Sequence, residues 1–206
     1  EYFVLVILIA LTGGIGSGKS RAAAILEEFG AHSISADRLA RETLERGENG
    51  YNEVVAFFGD EILSEGQIDR QKLADIVFND ADALEKLESI THPLVRNKFI
   101  SETRTLPENT VVVYEIPLLA ESISRQKQLD FDHVIVLESN TELRIARLVE
   151  RGMSAKDAQL RIAKQHSDEQ RKEIATHLIN NEGTLEELMS ELSAWWESFI
   201  SPDITK

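Results

Sequence analysis

Gly13, Gly14, Gly16 and Gly18 fall close together and are followed at once by Lys19 and Ser20. The run Gly13-Gly14-Ile15-Gly16-Ser17-Gly18-Lys19-Ser20 fits the pattern G-x-x-x-x-G-K-S/T. Glycines in such a loop accept positive φ and let several backbone N–H groups converge on one anion. A helix starting near Lys19 adds the favourable end of its dipole. Lys19 then reaches the outer phosphates of a nucleoside triphosphate, and the Ser20 hydroxyl ligates Mg²⁺. Gly14, Ile15, Gly16, Ser17, Gly18, Lys19 and Ser20 are therefore the expected ATP-binding residues. Lys19 is also expected to be catalytic, and Ser20 to be the metal ligand.

Two further groups carry charge suited to phosphoryl transfer. Asp37 follows the apolar stretch Ser33-Ile34-Ser35, at the carboxyl edge where ligands bind in open α/β sheets. A carboxylate there either takes the proton of an acceptor hydroxyl or simply caps a helix over 38–46. Arg144, Arg147 and Arg151 recur at helical spacing on one face, and Arg161, Lys164 and Gln165 share a face further on. Arginines stabilise charge on a transferring phosphoryl group, so a helical lid over 140–172 is one reading. Solvated faces of two ordinary helices are the other.

A triphosphate cradle does not choose a reaction. Guanine-reading proteins carry N-K-x-D, whereas Asn97-Lys98-Phe99-Ile100 lacks the aspartate. Motor ATPases end a hydrophobic strand in Asp-Glu, whereas Val111-Val112-Val113-Tyr114 runs into Glu115-Ile116-Pro117. A small kinase is what remains.

The elements that must hold these groups can be read from periodicity. Strand signals lie at Phe3–Leu11, His32–Ser35, Thr110–Ile116, His133–Glu138 and, weakly, His177–Ile179. Ala22, Ile25, Leu26 and Phe29 form a helical stripe that Gly30 terminates. Helices are also predicted over Thr141–Arg151 and Ser154–His166, joined near Gly152. A last helix runs from Thr184, an N-cap with Glu187 three residues on, to Phe199. Strands alternating with helices predict a three-layer α/β/α fold of the P-loop NTPase type with a five-stranded parallel sheet. Residues 1–206 then form a single P-loop kinase domain, and the long segment 38–105 reads as a helical insertion that shapes the acceptor site.

Composition bounds the function. The chain has 206 residues, 42% of them hydrophobic, and no cysteine, so disulfides and thiolate chemistry are excluded. That absence suits a reducing cytoplasm, the expected location. The apolar run Phe3–Leu11 is too short for the roughly 20 residues of a spanning helix, and no basic segment precedes it. No membrane association is expected. The net charge of −14 argues against nucleic acid as a partner. Against that background eight Arg and Lys residues lie between Arg144 and Lys172, where an even spread would put about three. Oligomeric state is not legible, and Trp195 and Trp196 read equally as core or contact residues.

The residues as a whole resemble the dephospho-coenzyme A kinase family, over nearly the whole chain. The likeness begins with Leu11-Thr12 and the phosphate loop and continues with Ser35-Ala36-Asp37-Arg38-Leu39-Ala40-Arg41. His92-Pro93-Leu94-Val95-Arg96 and Glu115-Ile116-Pro117-Leu118-Leu119-x-Glu121 follow. The match closes with Arg147 and Arg151, Arg161-Ile162-x-x-Gln165 and Asn181-Glu182-Gly183. The resemblance implies transfer of the γ-phosphate of ATP to the ribose 3′-hydroxyl of dephospho-coenzyme A, the last step of coenzyme A synthesis.

By the same resemblance Asp37 is the base, Arg147 a catalytic lid residue facing the phosphates, and Asn181 a neighbour of the adenine. Asp37, His92, Arg96, Glu115, Pro117, Leu118 and Arg161 are implied as acceptor-binding residues, with 38–105 as the coenzyme A-binding subdomain. Pro93 is expected to start the helix that carries His92 and Arg96. Three positions depart from the family pattern. Ser35 replaces the first aspartate of Asp-Ala-Asp, Glu115 replaces an aspartate, and Thr176 stands where an aspartate is common. Other small acceptors, such as a nucleoside monophosphate, and a catalytically silent nucleotide-binding regulator are the competing readings.

Overall fold

The computed structural model describes residues 7–117, 119–122 and 129–201, without the side chains of 121 and 122. The start of the first predicted strand, Leu118 and the Glu121 side chain lie outside the described residues. From the amino end the chain runs β1 (Ile7–Gly13), α1 (Lys19–Glu28) and β2 (His32–Ser35). It continues with α2 (Ala36–Thr43), α3 (Asn49–Phe58), a 3-10 turn (Asp60–Ile62), β3 (Leu63–Ser64), β4 (Gln67–Ile68), α4 (Arg70–Val77) and α5 (Ala81–Thr103). Next come β5 (Val111–Glu115), α6 (Leu119–Ser122), β6 (His133–Glu138) and α7 (Thr141–Glu150). The chain ends with α8 (Ala155–Ala163), α9 (Asp168–Glu173), β7 (His177–Asn180) and α10 (Leu185–Phe199). Two compact units result: one of residues up to Ser35 with those from Leu106 on, the other of Ala36–Thr105.

In the first unit the sheet order is β2-β5-β1-β6-β7, and every pairing is parallel. The five-stranded parallel sheet expected from the alternation is present. Side chains alternate across it. Ile9, Leu11, Val111, Val113, Ile135 and Leu137 bury against Ala22, Ile25 and Leu26 of α1 and Leu188, Leu192 and Trp195 of α10. Leu8, Ala10, Val112, Tyr114 and Val136, on the alternate positions, are buried as well. Cover on both faces is why these strands read as unbroken apolar runs. Trp195 and Trp196 both belong to this core, which settles their role. Thr184 and Glu187 form the expected capping box at the start of α10.

In the second unit Val54, Phe58, Ile62, Leu73, Ala83 and Ile90 form a separate core. Arg38 reaches Glu42 and Glu102, tying α2 to α5. Two features depart from the sequence reading. Pro93 lies inside the 23-residue α5 rather than at its start. The cap is Asp80, whose side chain accepts from the Asp82 and Ala83 N–H groups. Packing of α5 on α2, α3 and α4 carries the helix across the hydrogen bond that Pro93 cannot make. The hairpin β3–β4 was not expected, because each strand is two residues long. Its Glu65-Gly66 turn has positive φ at both positions, as a tight hairpin demands. Among the described residues, no helix is long and apolar enough to cross a membrane.

Candidate active site

β1 is the central strand of the sheet, and the glycine loop leaves its carboxyl end. Lys19 begins α1 and folds back, its Nζ donating to the carbonyls of Gly13 at 2.8 Å and Gly14 at 3.3 Å. Gly18 is the N-cap of α1 with φ of 98°, and no side chain caps the helix. An uncapped helix start beside a lysine is an anion site by construction.

The loop is backed by α7 and by the segment after β7. A Cβ built on Gly16 would stand 2.8 Å from the backbone oxygen of Arg144, and Gly16 has φ of 80°. One on Gly18 would stand 2.2 Å from Asn181 Nδ2. The glycines thus serve close packing from outside as well as backbone freedom.

Arg144 and Arg147, predicted as members of one lid face, have different surroundings. Arg144 is 2% exposed. Its Nε donates to the Ile15 carbonyl at 2.9 Å, and its Nη1 lies 3.3 Å from Asp168. Arg147 is half-buried; it donates to Ser139 Oγ at 3.0 Å and to the Asn181 carbonyl at 2.8 Å, with longer contacts to the Gly16 and Ser17 carbonyls. Burial lowers the pKa of both, yet a guanidinium stays charged at any working pH. Arg151 is exposed. Asn181 is buried and closes the circuit by donating from Nδ2 to the Ser17 carbonyl at 2.7 Å. In this arrangement α7 is a buttress of the phosphate loop.

Glu115 ends β5 in register with Ser35 of β2 and with Leu11 of β1. Its carboxylate accepts from Ser33 Oγ at 3.3 Å, and the neighbouring Ser20 side chain favours its charged form. Burial pushes the Glu115 pKa up, while Ser33, the Lys19 charge and Ser20 oppose the shift. Glu115, expected from the resemblance among the acceptor-binding residues, thus lies beside the phosphate loop and the expected metal ligand Ser20. Ser35 and Thr176 have separate surroundings. Ser35 is the last residue of β2. Thr176 accepts the Val134 N–H at 2.8 Å through Oγ1 and so ties the start of β6, a job an aspartate could also do.

Of the remaining expected residues, Pro117 forms the turn after β5 and Arg161 is exposed on α8. Asp37 is exposed in the first turn of α2, which starts at Ala36, so it is not the cap of a helix over 38–46. His92 lies on α5, an exposed residue whose ring is desolvated enough to lower its pKa. Arg96 lies one turn further on; its Nε is buried with no hydrogen-bond partner among the described residues. Sequence reasoning missed Ser139, Ser33 and the structural part of Gln165, whose Oε1 accepts the Ile15 N–H at 2.8 Å. Ser33 and Ser139 lie in no motif with a recognisable chemistry, and Gln165 was read only as part of the Arg161-Ile162-x-x-Gln165 stretch. Beside Asn181, a cavity of about 290 Å³ is lined by Glu138, Ser139, Asn140, Asp168, Glu169, Lys172, Asn180 and Glu182. Its acidic lining is unsuited to phosphate.

A parallel sheet with this strand order, a glycine-lysine-serine loop at its central strand and a carboxylate on the adjacent strand define a P-loop kinase. Comparison with known proteins narrows the class. The family model for dephospho-CoA kinase matches residues 7–187. The dephospho-CoA kinase of Thermobifida fusca is 41% identical over 191 residues, covering 92% of this chain and 94% of its own. A crystal structure from Thermus thermophilus superposes with a TM-score of 0.82 at 31% identity, over 97% of this chain and 100% of that one. The dephospho-CoA kinase of Campylobacter jejuni gives 0.70 at 27% identity, with the same coverage. The chain belongs to the dephospho-CoA kinase family.

Proposed function

We infer that this chain transfers the γ-phosphate of ATP to the 3′-hydroxyl of the ribose of dephospho-coenzyme A, giving coenzyme A and ADP. The observation that carries the reading is the cluster of Lys19, Ser20 and Glu115 around a loop whose carbonyls are held from behind. The loop N–H groups and Lys19 take the β- and γ-phosphates. Neighbouring oxygens of Ser20 and Glu115 make the hard donor pair that Mg²⁺ prefers, and the ion when bound draws charge from the phosphate oxygens. The neutral adenine lies by Asn181, whose neighbours Asn180 and Glu182 line the largely acidic cavity. Asp37 accepts the proton as the ribose oxygen attacks phosphorus and the bond to the β–γ bridging oxygen breaks. The buried Nε–H of Arg96, which lacks a partner among the described residues, favours an oxygen of the acceptor.

An ADP-release assay with ATP, Mg²⁺ and dephospho-coenzyme A tests this. Turnover is expected, and Asp37→Asn should reduce kcat by about 10²- to 10⁴-fold with little change in ATP affinity. Transfer to a nucleoside monophosphate but not to dephospho-coenzyme A would overturn the acceptor. Nucleotide binding without transfer to either would make the protein a regulator.

A further inference from the structure

Ile15, at the apex of the phosphate loop, is held by side chains from the far end of the chain. Its N–H donates to Gln165 Oε1 at 2.8 Å, and its carbonyl accepts from Arg144 Nε at 2.9 Å. Gln165 Oε1 also lies 3.4 Å from Arg144 Nη2. Arg144 and Arg171, both buried, share Asp168 Oδ1, and Arg171 donates in addition to the His166 carbonyl. Gln165 belongs to the connection between α8 and α9, and Asp168 is the first residue of α9. That connection is thereby tied to one residue of a loop about 150 positions earlier.

The polarity of these contacts decides what they do. In a trans peptide the carbonyl and the following N–H point in opposite directions. Arg144 on the Ile15 carbonyl therefore aims the Gly16 N–H away from α7. Asn181 on the Ser17 carbonyl does the same for the Gly18 N–H. Glycines gain no orientation from side chains of their own, and an unheld glycine peptide rotates at little cost. Holding the carbonyls from one side leaves the N–H groups on the other, which is what an anion nest requires before the anion arrives. Ile15 precedes Gly16, so fixing both peptides around it sets the direction of the first of these N–H groups.

We propose that Gln165, on the Gly14–Ile15 peptide, together with Arg144, on the Ile15–Gly16 peptide, and Asp168, which holds Arg144, is a positioning device that pre-orients the two peptides flanking Ile15 for nucleotide phosphate. It acts on ATP and ADP binding, not on the acceptor. The proposal rests on the kinase reading for its ligand, but nucleotide affinity can be measured without any acceptor, so the two fail separately. Gln165→Leu removes the acceptor for the Ile15 N–H while nearly keeping volume. Gln165→Glu keeps an oxygen for both Ile15 and Arg144. The expected result for Gln165→Leu is a rise of about five- to tenfold in KM for ATP and in Kd for ADP, from the loss of one such bond. KM for dephospho-coenzyme A should be unchanged, and Gln165→Glu should stay within about twofold of the parent. Amide exchange at Ile15 should speed up in Gln165→Leu while the β1 amides stay protected. Should Gln165→Leu fail to fold, Gln165→Ser carries the same measurements. Nucleotide affinity equal to the parent, or Gln165→Glu as weak as Gln165→Leu, would overturn the proposal. So would a lowered melting temperature with both KM values unchanged.

Discussion

Gly16→Ala puts the backing of the phosphate loop to a direct test, with Gly30→Ala as its partner. Both glycines have positive φ, 80° and 105°. Either alanine therefore carries the strain of an L-residue on the left-handed side, about 1–2 kcal/mol. Their surroundings differ. A Cβ at Gly30 meets nothing within 4 Å. At Gly16 it meets the Arg144 backbone oxygen at 2.8 Å and Cα at 3.2 Å, where ordinary contact begins near 3.4 Å. The atoms struck are backbone, so the loop or α7 must move by about 0.6 Å, the difference of 3.4 and 2.8. Helix α7 is held through Arg147 to Ser139 Oγ and the Asn181 carbonyl, outside the loop, which leaves the loop to yield. A displacement approaching 1 Å in a positioned array costs up to about 10²-fold in function. Thermal unfolding should show both variants lowered by about 2–8 °C, from about 2–4 °C per kcal/mol for a chain of this size. Titration calorimetry should show ATP binding weakened about tenfold or more in Gly16→Ala and unchanged in Gly30→Ala. Equal ATP affinity in Gly16→Ala and the parent would refute the argument that α7 sets the loop. So would an equal loss in Gly30→Ala.

Arg147→Lys keeps the charge but not the planar fork that serves Ser139 Oγ and the Asn181 carbonyl together. It should lower kcat/KM for ATP at least about tenfold, measured at saturating acceptor, and parent-like kinetics would show that charge alone suffices. Asn181→Ala removes the nearer donor to the Ser17 carbonyl and leaves only the longer contact from Arg147, so stability should fall by about 0.5–1.5 kcal/mol in a denaturant titration. A loss under about 0.5 kcal/mol would mean that water replaces the amide. His133 Nδ1 and His177 Nε2 lie 3.1 Å apart across β6 and β7, packed against Trp195 and Phe199. Burial first, and then the neighbouring His133, push the His177 pKa down from its ordinary value of 6.5. The unfolded chain thus binds the proton more readily, and stability present above the ordinary value is lost as pH falls toward the depressed one. The melting temperature should decline on acidification below about pH 6.5 and decline less in His177→Gln; an unchanged slope would remove this pair as the cause.

The nature of the loop, the parallel sheet and the family were legible in residues that act locally. Glycine, lysine and serine at fixed spacing define an anion nest whatever surrounds them, and unbroken β-branched runs define strands covered on both faces. The Thr184–Glu187 capping box was readable for the same reason, since its partners lie three residues apart. Trp195 and Trp196 were not, because a tryptophan on a helix faces core or solvent only once neighbouring elements are placed.

Tertiary structure alone decided which charges touch the loop. Arg144, Arg147 and Arg151 share helical spacing, yet one is buried on the Ile15 carbonyl, one spans Ser139 and Asn181, and one is exposed. Glu115 reads as an acidic residue after a strand, and only the register of β5 beside β1 and β2 sets it against Ser20 and Ser33. Gln165 carries no motif chemistry of its own. Its partner is a backbone N–H some 150 residues away, and backbone groups leave no mark in a sequence. Local pattern fixes what a segment can become, while long-range hydrogen bonding selects which side chain orients it.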